Sequence, residues 1–301
     1  MKNTSIFISL FFYSILGFGQ QIEDVQKSFK SLSSEPEIII LKNKIKVPSN
    51  TGHFQGVQII ENEDDKKILI SGSSLTKSYF LQGDLATKET EKLILLMKAP
   101  YRHAGGIQSS KDYVVVGIED NFTKTSSKVC LYKPSNLHQS LPNMIINRKG
   151  KVEKKTAGAT GLLSIENNYL TVVSNWNSRN WDFLLIDPIK KKKTILESFN
   201  SPKNWADYQS INLIMDKKDI YALGFYRIDH VDYADLILVS SRTGTFKLKM
   251  KKLATKTFNC KNGVDFSGAA GLQVDKKGEL HIWSTQKKTS QQIVVNQFSK
   301  K

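Results

Sequence analysis

The sequence predicts an all-β fold built from five repeated four-stranded units, and two observations carry that prediction. A short phrase returns five times, as HFQGVQ from His53, HAGGIQ from His103, GATGLL from Gly158, DYQSIN from Asp207 and GAAGLQ from Gly268. Its starts lie roughly 50 to 60 residues apart, the length needed by four short strands and their turns. The second observation is an imbalance at the ends. The apolar segment EIIILKNKIKV, 37–47, precedes the first unit and belongs to none, while the last unit runs out after three strands.

Short Val, Ile, Leu, Tyr and Phe runs separated by Gly, Asn, Asp and Lys turns mark the strands in order. The first unit reads GVQII, KKILISG, SYFLQGD and KLILLMK; the second GGIQSS, YVVVGIE, KVCLYK and the weaker MIINRKGK. The third reads GLLSI, YLTVVSN, DFLLID and KTILES, and the fourth SINLIMD, IYALGFY, DLILVSS and TFKLKMK. The fifth has only GLQVD, ELHIWST and QIVVNQF. Over 37–299 this pattern resembles a five-bladed β-propeller closed by an N-terminal strand pairing with the last blade, which would remove the exposed sheet edges of an open array. The fourth residue of each phrase is small (Gly56, Gly106, Gly161, Ser210, Gly271), as inner strands converging on a tight axis require. Gln58, Gln108, Asn212 and Gln273 follow and are expected to hydrogen-bond around that axis as scaffold.

The flanking segments complete the layout. Lys2, an apolar run over 6–18 and the small residues Gly17 and Gly19 predict a signal peptide over 1–19, and so a secreted or periplasmic protein. That run has about 13 residues where about 20 are needed to cross a bilayer, and no transmembrane segment is expected later. Residues 20–36 form a linker with apolar Ile22, Val25, Phe29 and Leu32 at helical spacing, and 37–301 the propeller domain.

Composition narrows the partners. The net charge of +16 comes from 44 basic against 28 acidic residues, and only Arg102, Arg148, Arg179, Arg227 and Arg242 are arginines. Lysine is a hydrated point charge suited to solvated surfaces, so no specific nucleic-acid binding is expected, while weak attraction to anionic envelope surfaces is. Cys130 and Cys260 are too few for a disulfide framework, and a monomer is expected.

The phrases open with His53, His103 and Asp207, and with Gly158 and Gly268 at the other two places. In a ring these starts converge on one mouth. Two imidazoles and a carboxylate there suit a catalytic base, acid and orienter, one divalent metal ion, or a hydrogen-bonded plug. Loops expected on the same face supply polar and aromatic ligand contacts: Arg102, Trp176, Arg179, Trp181, Tyr226, Arg227, Asp229, His230 and Tyr233. There is no GxSxG, HExxH, P-loop or CxxC motif. Resemblance to five-bladed propellers brings in glycoside hydrolases, whose carboxylates sit on successive inner strands, yet here only Asp207 holds such a place. The reading is an exported binding module holding a small polar ligand, glycan or protein segment at the channel mouth. Its alternative is a hydrolase or lyase acting on a sugar- or phosphate-containing substrate through His53 and His103.

Overall fold

The computed structural model describes residues 20–48, 52–61, 65–242 and 246–300. The expected signal peptide, 1–19, lies outside them. Helix α1 (Val25–Ser31) comes first, its start capped by Asp24, whose side chain accepts from the Lys27 amide at 2.9 Å. Strand β1 (Glu37–Lys42) follows. Blade 1 is β2 (His53–Glu61), β3 (Lys66–Ser73), β4 (Lys77–Asp84) and β5 (Glu89–Lys98). Blade 2 is β6 (Tyr101–Ser110), β7 (Tyr113–Asp120), β8 (Ser126–Tyr132) and β9 (Met144–Lys149); blade 3 is β10 (Ala159–Ile165), β11 (Asn168–Ser174), β12 (Asn180–Asp187) and β13 (Lys192–Asn200). Blade 4 is β14 (Ser210–Met215), β15 (Asp219–Ile228), β16 (Val231–Ser241) and β17 (Leu248–Phe258). Blade 5 has β18 (Val264–Val274), β19 (Leu280–Gln286) and β20 (Gln292–Phe298). Its outer strand is β1, which pairs antiparallel with β20 from Glu37↔Gln297 to Lys42↔Gln292. The fold is an all-β propeller closed by the N-terminal strand.

Apolar periodicity explains the ring. Five buried clusters lie one at each blade junction, and successive residues of a strand face alternate junctions. Ile68 and Ile70 join the blade 5/1 cluster while Leu69 joins the blade 1/2 cluster. A middle strand such as β7 is therefore buried throughout and reads as an unbroken apolar run. Helix α1 puts Val25 and Phe29 into the blade 4/5 cluster, beside Leu223, Phe225 and Phe298.

The axis is closed by backbone and amides. Gln108 donates to the Leu213 carbonyl (2.7 Å) and accepts from the Leu162 and Leu213 amides, and Asn212 donates to the Ile107 carbonyl and accepts from the Leu272 amide. Gln58 donates to Asn212 and accepts from the Ser109 amide. At the far end from the phrase starts, the Gln20 side chain donates to the Ser109 carbonyl (3.0 Å) and accepts from the Val274 amide (3.2 Å), tying blades 2 and 5. A cavity of about 1360 Å³ opens there, partly filled by residues 20–23 of the chain itself and walled by Glu61, Tyr113, Tyr169, Lys217 and Gln273. This cavity and the two phrase-opening histidines thus sit at opposite ends of the axis.

One junction carries a buried charge cluster with a pH signature. Asp182 of blade 3 meets Arg148 of blade 2 (2.6 Å), Lys155 (2.8 Å) and Ser198 (2.7 Å). Burial pushes its carboxyl upward, but these three partners outweigh burial and hold it at about 2. A carboxyl lowered on folding stabilises above its unfolded value and loses that contribution as pH falls towards its folded one, here roughly 2 kcal/mol lost between about pH 4 and 2. The denaturant-midpoint gap between wild type and Asp182→Asn is expected to be wide at pH 7 and to shrink towards pH 2. A gap independent of pH would show that the cluster holds no pH-linked stability.

Candidate functional site

Strand register builds the mouth. Ser73 is the cross-strand neighbour of His53, and Glu119 that of His103. Irregular register at the tops of β2 and β6 re-aims both inner strands, so the two pairs meet across the blade 1/2 junction. The rings lie 5.3 Å apart between centroids, with His103 Nε2 3.4 Å from His53 Nε2. His53 Nδ1 is 3.4 Å from the Ser73 hydroxyl. His103 Nδ1 lies 3.1 Å from Glu119 Oε2, an ion-pair approach out of line for a good hydrogen bond. The other carboxylate oxygen of Glu119 accepts from the Ala157 amide at 2.7 Å.

A single proton assignment suits this row. The Ser73 hydroxyl donates to His53, His53 Nε2–H donates to His103 Nε2, and His103 Nδ1–H faces the Glu119 carboxylate. His103 and Glu119 are buried while His53 is half-exposed, so the row runs from the interior to the surface of the mouth. It can pass a proton along the row, with the carboxylate stabilising any imidazolium on His103.

Asp207 does not join it. Its exposed carboxylate pairs with Arg179, which also donates to the Pro202 and Trp205 carbonyls (3.0 and 2.9 Å) and so pins the loop before β14. Of the divalent-metal set expected from the sequence, only His53 and His103 come together. Among the described residues the three metal-ligating side chains that converge are Asp275, Glu279 and His281, in blade 5, with ligand atoms within 4.8 Å of one another. The two phrase-opening glycines also have a physical reason. A Cβ on Gly158 would lie 2.9 Å from Trp176 Cα, and one on Gly268 would lie 2.8 Å from the Thr285 carbonyl oxygen. Backbone of the turn at Trp176 and of the end of β19 crosses where the other units carry side chains.

The expected ligand contacts divide. Trp176 is 51% exposed, with the Lys124 ammonium 4.9 Å above its ring. Arg102 is partly buried and lies 4.7 Å from the centre of the Phe122 ring, which is 67% exposed and belongs to the loop EDNFTKTSS expected on this face. Trp181 is instead fully buried, packed against Phe183, Phe199, Trp205 and Tyr208, because β12 begins at Asn180 and draws the ring into the core. Tyr226 is buried too, stacked on half-buried Tyr233 at 5.1 Å with its hydroxyl on Asp235 (3.3 Å). Burial first, then the Asp235 charge, pushes its phenol upward. Arg227 pairs with Asp232 (3.4 Å) and Asp265 (3.2 Å). Asp229 and His230 form the left-handed tip of the β15/β16 hairpin, with φ of 49° and 65°. Of the residues expected to contact a ligand, Trp176 keeps its ring exposed and Arg102 is partly buried, while Asp229 and His230 are exposed at their hairpin tip.

No family model matches the chain, and no curated protein is similar enough in sequence to count as a relative. Solved structures do resemble it. The exo-beta-1,3-galactanase from Phanerochaete chrysosporium, with galactose, superposes with a TM-score of 0.52 at 7% identity over 86% of this chain and 64% of that one. This chain therefore spans less than two thirds of the galactanase. The GH43 beta-xylosidase/alpha-arabinofuranosidase from a compost microbial metagenome, in complex with xylotriose, gives 0.51 at 7% identity, over 86% of this chain and 95% of that one. Both are glycoside hydrolases with the propeller fold, and the likeness is one of fold.

Proposed function

We propose that this protein is a glycan-cleaving enzyme that works at the mouth of its propeller through the His53–His103–Glu119 row, a sugar hydrolase or lyase rather than a pure binding module. The observation that carries the proposal is the pair of facing imidazoles with a buried carboxylate behind them. A module that only holds a ligand has no use for a proton path from interior to surface. In this reading His53 meets the substrate, His103 exchanges a proton with it, and Glu119 positions His103 and balances its charge. The exposed Trp176 and Phe122 rings offer flat faces for sugar C–H groups, and the glycoside-hydrolase neighbours support a sugar as the substrate. Export by the leader, a monomeric state and a location outside the cytoplasm, where glycan polymers are met, belong to the same proposal.

The test is a panel of neutral and acidic oligosaccharides, with products separated by chromatography. His53→Ala is expected to lower turnover about a hundredfold or more while changing stability by under about 1 kcal/mol. Glu119→Gln keeps an acceptor for the Ala157 amide and removes only the charge, so it should lower turnover by about 10² to 10⁴. Undiminished cleavage in both variants would take the row out of the chemistry.

A further inference from the structure

Arg102 stands apart from the other charged groups of this face. Arg148, Arg179 and Arg227 each meet a carboxylate, whereas Arg102 has no ion-pair partner among the described residues. One guanidinium nitrogen donates to the Ser74 carbonyl at 3.3 Å, and Nε is buried with no partner at all. Its guanidinium carbon lies 4.7 Å from the centre of the exposed Phe122 ring. This cation occupies the position before His103 on β6, at the mouth itself. Partly burying a guanidinium without a counter-charge is costly, and more so in a chain of net charge +16. An anion supplied from outside relieves that cost.

We infer that the substrate of this mouth carries a carboxylate: a uronic-acid-containing oligosaccharide whose carboxylate sits on Arg102. The inference rests on the reading of the mouth as a glycan site and names the class of glycan. A planar guanidinium presents parallel N–H donors that match the two oxygens of a carboxylate, and contact with the Phe122 ring together with the bond to the Ser74 carbonyl restrains where they point. The sugar ring then lies towards the histidines, because the irregular register between Tyr101 and His103 lets the Arg102 guanidinium reach the Ser74 carbonyl, next to Ser73, the cross-strand neighbour of His53. Lys124, from the loop that also bears Phe122, lies over the Trp176 ring of blade 3 but is already paired with Glu153 at 3.1 Å, so Arg102 is the cation here that a carboxylate on the substrate would pair with.

The experiment is calorimetric binding of an oligogalacturonate, of the same oligosaccharide with its carboxylates methyl-esterified, and of a neutral galacto-oligosaccharide of equal length. The acid form is expected to bind about tenfold or more tightly than the other two, since only the carboxylate charge separates it from its ester. Arg102→Gln should abolish the preference. Arg102→Lys should keep a fraction of it, because a point charge cannot bind both oxygens. Lys193→Gln, an exposed lysine on outer strand β13, should leave it unchanged. Equal binding of neutral and acidic glycans would overturn this inference while leaving the glycan reading standing. A preference that survives Arg102→Gln would likewise overturn the role of Arg102, and displacement of the uronate by inorganic phosphate at equal concentration would overturn the carboxylate assignment. Binding of no glycan at all would end both readings.

Discussion

Gly271→Val is expected to leave no folded protein at 25 °C. A Cβ at that position would sit 2.0 Å from the Val57 carbonyl oxygen and 2.4 Å from the Gln58 amide nitrogen, where β18 meets β2 at the axis. Neither neighbour has room to yield: the carbonyl is backbone, and the Gln58 amide already bonds Val57, Asn212 and the Ser109 amide. Overpacking in an ordinary core costs about 1 to 3 kcal/mol. Here the inner strands of two blades must part, and the loss should exceed about 4 kcal/mol, a large share of the stability of a typical domain. Gly150→Val supplies the comparison. It would meet the flexible Lys155 side chain, its Cγ 2.7 Å away, and Gly150 lies outside the left-handed region, so the cost should stay under about 1 kcal/mol. Thermal melts of the two variants decide the matter, and equal losses would remove the close approach at the axis as the reason for Gly271.

A chain beginning at Val47 is the second large effect. It lacks β1, which supplies the outer edge of blade 5, and α1, which covers the blade 4/5 cluster. Leu41, fully buried, fills the space above Gly83, where its Cδ2 lies 2.8 Å from the position a Cβ would take. Lys42 also meets Glu89 across the blade 5/1 gap, so the same strand latches the ring from both sides. Without it β20 presents an unpaired edge, and aggregation rather than a clean two-state melt is expected by light scattering during heating. Unchanged thermal stability of the shortened chain would show that the ring closes by other contacts. Leu41→Ala tests the packing alone, at about 2 to 5 kcal/mol.

The blades were legible because each strand's period-two pattern and the recurring small residue come from local geometry that any one unit repeats. The β1 closure was legible as arithmetic, one strand missing and one to spare. The mouth was harder. His53 and His103 could be aligned by phrase, but Glu119 sits at the end of the run YVVVGIE, where it reads as the polar boundary of a strand. Its place behind His103 depends on β6/β7 pairing with an irregular register, which spacing does not reveal. Asp207 occupies the equivalent position by phrase and yet is captured by Arg179, because the loop ahead of β14 folds towards the third blade. Trp181 reads as a loop residue in the sequence and is the second residue of β12. In each case the deciding contact is set by a neighbouring strand or loop far away in the sequence. The edge of β17 shifted for the same reason: its pairing with β16 extends through Phe258, beyond the apolar run that marks it.

The pairing of Glu37 with Gln297 makes the order of folding run against the order of synthesis. The strand made first is docked last, since its partner is among the final residues to be joined. Until then β1 is a tethered apolar segment, and the loop its docking closes is nearly the whole chain. The four blades that lie between can assemble from hairpins of short separation at microsecond to millisecond rates. Ring closure is therefore expected to be the slowest step of folding, the point at which the arrival of one strand turns an open arc of sheets into a circle.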